Sequence, residues 1–258
     1  MYPVLLNLGF FKIHTYGLMI AIGFVLSGFL FVKKATKTYN YDSRIIDNLM
    51  LWLFIAGIIG GRFFYIILNW SYYSKNLLEI PKIWQGGLVF FGAFIFAFLF
   101  LIFFTKIYKK ISFLRLADLL APYLALGHFF GRIGCFFAGC CYGKPTNSHF
   151  GVIFKNTNSL APLNIKIHPT QLYEAFSNLI LFFVLLYFLK KQSFKGQILS
   201  LYLILYSTIR FFIEFLRNDP RGDFLYLSTS QIISIFLFFI GICLFFVSKN
   251  SFLKPKKN

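Results

Sequence analysis

Three charged side chains near the C-terminal end of the chain are spaced to meet on one face of a helix. Arg210 and Glu214 are four residues apart in an apolar stretch, and Arg217 follows three residues later. Residues three and four apart are neighbours on a helix surface, so the three groups should project the same way. Charges inside an apolar segment are costly and often mark a functional site. The pattern predicts either a self-neutralising Arg210–Glu214 pair or an arginine site for an anion.

A second motif places an arginine between glycines, Gly131-Arg132-Ile133-Gly134-Cys135. Such glycines let the backbone approach a ligand and offer N–H donors to an anion. Taken alone, the motif is more typical of a turn that ends a helix. Arg132 is therefore a candidate anion ligand whose secondary structure the motif leaves open.

Neither the cysteines nor the histidines show a metal-binding spacing. Cys135, Cys140 and Cys141 follow a C-x4-C-C pattern, which matches no usual zinc site. The pattern favours small buried side chains, most strongly for the distant Cys243, and leaves open a disulfide from Cys135 to Cys140 or Cys141. The four histidines, each a candidate general base, are His14, His128, His149 and His168. For His128 and His149 a packing role is favoured.

The elements that position these residues must be membrane helices. Hydrophobic residues make up 58% of the 258 residues and charged residues 13%, against about 45–50% and about 25% in soluble domains. Seven stretches approach the roughly 20 apolar residues that a span needs, and they do not alternate as barrel strands would. The predicted spans are 13–32, 49–68, 86–105, 113–130, 171–189, 197–216 and 227–247, the fourth being weakest because Asp118 and Pro122 interrupt it.

Basic residues predict how the chain crosses the membrane. More than half of the 26 Lys and Arg residues fall in alternate loops and the C-terminal tail, so the positive-inside rule places the N-terminus outside and the C-terminus in the cytoplasm. Topology thus accounts for most of the net charge of +18, and no aromatic-basic motif supports nucleic-acid binding. We expect one membrane domain, 1–258, with a retained first span and a Gly/Pro-rich extracytoplasmic region at 131–170.

With this topology the costly charges gather toward the outer half of the membrane, where arginines outnumber acids. A planar guanidinium grips a phosphate through two parallel hydrogen bonds, and the phosphates of a membrane are lipid headgroups. The residues alone therefore predict a phospholipid site near the outer face. Its members are Arg62, Arg132, Glu174, Glu214 and Arg217, with His14 and Tyr16 at the same level.

Six segments, in order along nearly the whole chain, resemble the bacterial prolipoprotein diacylglyceryl transferase family. They are His14–Met19, Gly60–Arg62, Gly86–Leu88, Gly131–Gly143, His168–Glu174 and Arg210–Glu214. The resemblance implies an all-α protein of the bacterial inner membrane with seven transmembrane helices and its active site toward the outer leaflet. It also implies the first step of lipoprotein maturation, in which the diacylglyceryl group of phosphatidylglycerol moves to the lipobox cysteine of a prolipoprotein. The resemblance further implies that a thioether forms and glycerol phosphate leaves, and it implies no metal or organic cofactor.

The resemblance also implies roles for residues in the matching segments. Arg132 should hold the lipid phosphate, Arg210 should act in the transfer step, and Glu214 should orient Arg210. Tyr16 and Gly143 also match positions that are important in the family. Together with Arg62 and Gly134 they are the further predicted phospholipid contacts, and the candidate supporting residues are His14, Cys135, His168, Tyr173, Glu174 and Arg217.

The chain departs from a common pattern of that family at three positions. Phe91 stands where many members carry a histidine cast as the base, Cys135 replaces a frequent asparagine, and Cys140 replaces a frequent glutamate. Either the base lies elsewhere, at His14, His168 or Glu174, or none is needed. We favour the second alternative, because nearby arginines stabilise a thiolate.

Two other functions fit some of the same residues. A phospholipid or ion transporter would line its pathway with intramembrane arginine and glutamate, but such proteins often show paired, broken-helix repeats, and this sequence shows no such symmetry. A purely structural subunit would use the charges as internal salt bridges and would leave the Gly-rich region unexplained.

Overall fold

A computed structural model of the chain describes residues 2–7, 12–83, 86–219, 223–224 and 227–253. Seven helices in these ranges are long and apolar enough to cross a membrane, which confirms the predicted all-α polytopic fold. They are α1 (Thr15–Tyr39), α2 (Ser43–Leu68), α4 (Phe90–Ile107), α5 (Phe113–Ala138), α6 (Thr170–Lys190), α7 (Gln197–Glu214) and α8 (Thr229–Leu253), with a short α3 (Trp70–Tyr73) and a 3-10 turn at Leu77–Glu79.

The fourth span, α5, is longer than the sequence predicts. The helix continues to Ala138, so the Gly131–Gly134 motif is helical rather than a helix-ending turn. Asp118, which seemed to interrupt the span, is fully buried. Its carboxylate accepts hydrogen bonds from the backbone N–H groups of Gly196 at 2.5 Å and Leu199 at 2.8 Å. The acid therefore caps the N-terminus of α7, where helical N–H groups lack partners of their own.

Three two-stranded antiparallel hairpins accompany the helices in the described ranges. The second lies in the predicted Gly/Pro-rich region and packs on a small core of Phe154, Ala161 and Ile167. That region therefore has a small hydrophobic core of its own. The pairs are β1 (Val4–Asn7) with β2 (Lys12–His14), β3 (Val152–Ile153) with β4 (Lys166–Ile167), and β5 (Asp223–Phe224) with β6 (Leu227–Ser228).

The chain divides into two compact units, one reaching to Phe31 and resuming at Ala117, the other spanning Val32–Leu116. Within the first unit, α1 approaches α5 so closely that a Cβ at Gly23 would lie 2.7 Å from the Cβ of Phe130. Within the second, α2 meets α4 at Gly60 and Gly92, where a Cβ on either would lie 2.4 Å from the other's carbonyl oxygen. Small residues let membrane helices approach in this way. The single membrane domain stays a prediction.

Candidate functional site

The centre of the site is the carboxylate of Glu174, which is 1% exposed near the start of α6. Three arginines surround it within the unit that resumes at Ala117. The Nη2 of Arg132 lies 2.9 Å from Oε1, the Nε of Arg210 lies 3.9 Å from Oε1, and the Nη1 of Arg217 lies 3.9 Å from Oε2. One buried acid thus joins α5, α6, α7 and the segment after α7.

Two more carboxylates complete the ion-pair network. The Nη2 of Arg210 lies 2.6 Å from Oε2 of Glu214, and the Nε of Arg217 lies 3.6 Å from the same oxygen. The shared helical face that the spacing predicts is therefore present. Arg217 also grips Asp219 through Nε and Nη2, each 2.8 Å from a carboxylate oxygen. This parallel arrangement is the strong, geometrically specific form of an arginine–carboxylate pair.

Asp219 supplies a negative charge that the sequence prediction did not include. The predicted excess of arginines over acids counted only the charges in or beside the spans. In the described part of the chain, this network holds three arginines and three carboxylates, because Asp219 follows Arg217 just beyond α7. The capacity to bind an anion must therefore come from donors that the carboxylates leave available rather than from surplus charge.

One of the arginines has such a donor, and another is the most exposed of the three. The Nη1 of Arg210 is buried and has no hydrogen-bond partner among the described residues. The side chain of Arg132 is 21% exposed, against 8% for Arg210 and 3% for Arg217. A partly exposed guanidinium beside a buried one with an unused N–H suits a phosphate whose oxygens reach both.

Two serines at the start of the last helix support this network and were missed from the sequence. The Oγ of Ser228 donates to Oε1 of Glu214 at 2.8 Å, and the Nη2 of Arg210 donates to the Oγ of Ser230 at 3.0 Å. Serines are common at helix starts for capping alone, so their type and place gave no sign of a role in the site.

Gly143 lies where three segments meet through their backbones. Its N–H donates to the carbonyl of His168 at 3.0 Å, and the next N–H, from Lys144, donates to that of Leu216 at 2.8 Å. A Cβ on Gly143 would lie 2.6 Å from the carbonyl oxygen of His168 and 2.9 Å from that of Leu216. Only glycine fits between the segments that lead into Glu174 and Arg217.

We expect Gly143→Ala to lower stability by about 1–3 kcal/mol, because the extra carbon strikes backbone on two sides. Displacing Glu174 or Arg217 by an ångström should also cost about 10²-fold in the chemistry of the site. Gly57→Ala is the control, since a Cβ there meets nothing within 4 Å. Thermal unfolding of the detergent-purified variants measures the difference; equal melting of the two would contradict the assigned packing.

The other predicted members lie around this network in the same unit. A Cβ on Gly134 would lie 3.2 Å from the backbone oxygen of Tyr16, so α5 packs closely on the start of α1 there. Tyr16 is 39% exposed, and His14 just before it is also exposed. The Nδ1 of His168 lies 3.3 Å from the Tyr173 hydroxyl. Their roles toward a lipid stay predictions.

The four cysteines only partly follow the burial that their pattern favours. Cys135 is buried, Cys140 and Cys141 are partly buried, and Cys243, for which burial was favoured most strongly, is exposed on α8. After α5 the chain turns through two left-handed residues, Gly139 and Cys141, and the side chains of Thr170 and Gln171 hold the carbonyls of Cys141 and Cys140 at 2.8 and 2.7 Å. The turn brings Sγ of Cys140 and Cys141 back to Cys135, and all three sulfurs lie within 4.8 Å of one another. None forms a disulfide, and Nη1 of Arg132 lies 3.7 Å from Sγ of Cys141.

Arg62 belongs to the other compact unit, where backbone oxygens surround its guanidinium. Its nitrogens donate to the carbonyls of Glu79 at 2.7 Å, Ile80 at 2.9 Å, Gly86 at 2.9 Å and Gly87 at 3.3 Å. All three guanidinium nitrogens are therefore committed to the segment between α3 and α4. The geometry supports a positioning role for this arginine, whereas its contact with phospholipid stays a prediction.

Replacing Arg62 by methionine should leave those carbonyls without their charged donor and destabilise the protein by roughly 3 kcal/mol. Arg44→Met is the matched control, because Arg44 is exposed in the first turn of α2 and surface changes usually fall within about 0.5 kcal/mol. Thermal unfolding and vesicle binding are measured together. Unchanged stability with lost binding to phosphatidylglycerol vesicles would instead assign Arg62 to the lipid.

Comparison with known proteins places these features in a family context. Residues 3–247 match the sequence model of the family described as prolipoprotein diacylglyceryl transferase. The chain is 42% identical over 252 residues to the phosphatidylglycerol–prolipoprotein diacylglyceryl transferase of Clostridium tetani, covering 96% of this chain and 98% of that protein. It is 43% identical to transferase 2 of Clostridium perfringens over 92% of each chain. The Lysinibacillus sphaericus enzyme is 36% identical, over 93% of this chain and 89% of its own.

Proposed function

The chain belongs to the prolipoprotein diacylglyceryl transferase family, and from this premise we propose that it transfers the diacylglyceryl group of phosphatidylglycerol to the cysteine thiol of a prolipoprotein lipobox. The observation that carries the proposal is the buried network around Glu174, in which an unused donor of Arg210 lies beside the more exposed Arg132. Relatives carrying the name of this transferase match nearly the whole chain.

The reaction joins a sulfur to a carbon and releases a phosphate. The thiolate of the lipobox cysteine attacks the glyceryl carbon that carries the phosphate ester, and a carbon–sulfur bond forms. The carbon–oxygen bond breaks, its electron pair goes to the phosphate oxygen, and glycerol phosphate leaves. Negative charge therefore grows on the leaving group, where fixed guanidinium groups in a site shielded from water stabilise it most.

The three arginines have different roles in the reaction because their surroundings differ. Arg132, the most exposed of the three, receives the lipid phosphate. Arg210 donates its unused N–H to the oxygen that departs, while Glu214 and Ser230 hold its other nitrogen in place. Glu174 and the Arg217–Asp219 pair fix the positions of both binding arginines.

The thiol proton does not go to the position that many family members use. Phe91 stands there, exposed at the start of α4, and phenylalanine accepts no proton. The arginines favour the thiolate form of the incoming cysteine by stabilising its charge. The thiol proton passes to water, so a dedicated histidine base is unnecessary.

The membrane setting follows from the seven apolar helices and the distribution of basic residues. The enzyme is a multi-pass protein of the bacterial inner membrane with its C-terminus in the cytoplasm, because alternate loops and the C-terminal tail hold most of the lysines. The site opens toward the outer leaflet, where both substrates, a phospholipid and a membrane-anchored prolipoprotein, are available. No nucleic acid takes part.

The test supplies purified enzyme with phosphatidylglycerol vesicles and a synthetic lipobox peptide, and mass spectrometry detects the diacylglyceryl adduct. A peptide with serine in place of cysteine is the control and should gain nothing. The proposal fails if the cysteine peptide remains unmodified under conditions in which the Clostridium tetani relative lipidates it. Vesicle-to-vesicle movement of phosphatidylglycerol without peptide modification would instead indicate a transporter.

A further inference from the structure

Three thiols converge at the edge of the arginine network, and the proposed reaction gives them no role. Cys135 lies in the last turns of α5, and Cys140 and Cys141 lie in the turn after it. Their sulfurs lie within 4.8 Å of one another, although the C-x4-C-C spacing suggested no metal site. The side chains of Thr170 and Gln171 hold the backbone of this turn from α6.

This arrangement is close to that of a three-thiolate zinc site. With Zn–S bonds of about 2.3 Å, sulfurs in a tetrahedral site lie roughly 3.8 Å apart. The sulfurs therefore need to close by no more than about 1 Å. Thiolate ligands select soft ions, zinc among them, and three protein ligands with one open position are typical of catalytic rather than structural zinc.

Positive charge lies beside the sulfurs that would bind zinc as thiolates. The Nη1 of Arg132 lies 3.7 Å from Sγ of Cys141. Cys140 and Cys141 are only partly buried, so an ion and a further ligand can reach them from outside. Three thiolates and Zn²⁺ carry a net charge of −1, which neighbouring arginines stabilise.

We propose that Cys135, Cys140 and Cys141 bind a zinc ion as three thiolates and leave its fourth position open for the cysteine of the prolipoprotein. The second half of this statement rests on the proposed function. As zinc binds, the three thiols release three protons to water, and the incoming cysteine releases a fourth. The metal-bound sulfur then attacks the glyceryl carbon, and the carbon–oxygen bond to the phosphate breaks with its electron pair going to the departing glycerol phosphate. The resulting neutral thioether, a weak ligand, dissociates.

The position of the cluster suits that role. The guanidinium of Arg132, which receives the lipid phosphate in the proposed reaction, lies 3.7 Å from Sγ of Cys141. A thiolate on the fourth position and a glyceryl carbon held through its phosphate are therefore brought close together. Coordination to a metal is also one of the general ways to activate a nucleophile near neutral pH, which fits an enzyme with Phe91 in place of a histidine.

The first experiment measures metal binding without turnover. Full-length protein, purified in detergent with reductant, is loaded with Zn²⁺ and dialysed, and bound zinc is measured by elemental mass spectrometry. We expect about one zinc per chain and near none in Cys135→Ser, Cys140→Ser and Cys141→Ser. Cys243→Ser is the control, because Cys243 is exposed on α8, and it should keep its zinc. Each serine variant must unfold at the same temperature as wild-type protein from which the metal has been removed, so that a loss of zinc reflects a lost ligand and not a lost fold.

The second experiment examines the open position. Co²⁺ replaces zinc, and its visible absorption should show tetrahedral coordination with thiolate charge-transfer bands in the near ultraviolet. A lipobox peptide with cysteine should shift these bands, whereas the serine peptide should not. Chelated wild-type enzyme should lose transfer by about tenfold or more and regain it with Zn²⁺.

The outcomes separate this proposal from the proposed function. Zinc binding without any peptide lipidation would support the metal site and contradict the transferase. Full transfer by chelated enzyme, no retained zinc in the wild type, or a disulfide among the three cysteines of the active enzyme would each overturn the metal proposal. Each of these last results leaves the transferase intact.

Discussion

Replacing Arg210 by lysine is expected to lower the rate of diacylglyceryl transfer by about 10²–10³-fold with little loss of fold. In Arg210, Nη2 contacts Glu214 at 2.6 Å and Ser230 at 3.0 Å, while Nη1 is left to donate to the leaving oxygen. Lysine keeps the positive charge but has only one nitrogen, so it cannot fill both places. The buried Nη1 that has no partner in the described structure is the atom that the substitution removes.

The time course of peptide lipidation measures this loss, and thermal unfolding shows that the variant is folded. Arg44→Lys makes the same change at an exposed position of α2 and should leave the rate unaltered. If Arg210→Lys transfers at the wild-type rate, charge alone suffices and the directional role given to Nη1 is wrong.

Glu174→Gln should have the second large effect, on stability as well as on transfer. Glutamine keeps the shape but removes the negative charge that three arginines share at 2.9, 3.9 and 3.9 Å. Removing one partner from a buried ion network typically costs about 3–5 kcal/mol, because the remaining charges stay desolvated. We expect the rate of transfer to fall by about 10²-fold, because Arg132 and Arg210 lose the carboxylate that holds both of them in position.

Glu79→Gln is the matched control, since Glu79 pairs with Lys82 where both side chains are about a third exposed. Such surface pairs contribute about 0–1 kcal/mol, so this variant should melt close to the wild type. Phosphatidylglycerol vesicles at saturating concentration should restore part of the stability of Glu174→Gln, because a bound anion changes the charge balance. Identical melting of the two variants would show that the buried network does not depend on Glu174.

Much of the architecture follows from patterns within single segments. Seven apolar runs predict seven spanning helices because a bilayer requires about 20 such residues in each. The spacing of Arg210, Glu214 and Arg217 predicts their shared face because helical geometry is local. The end of α5 was not predictable in this way, since Asp118 is satisfied by the start of α7, 78 residues further along the chain.

The features of the site that the sequence did not predict also depend on contacts between distant segments. The central place of Glu174 depends on four segments meeting, and its own segment indicates only a polar residue near a helix start. Asp219 lies beyond a span, where an acid is unremarkable until its contact with Arg217 is known. The cysteines were judged by their spacing, whereas the left-handed turn at Gly139 and Cys141 determines that their sulfurs meet.

The carboxylate of Asp118 has a mechanical consequence for the enzyme. It fixes the first turn of α7 through two backbone N–H groups, while the last turn is fixed through Arg210 and Glu214. A helix that slides by one turn moves about 5.4 Å, and α7 would have to break both attachments to do so. Both ends of α7 are therefore held in place, and the movements that admit a phospholipid and a prolipoprotein and release their products must come from the segments around it.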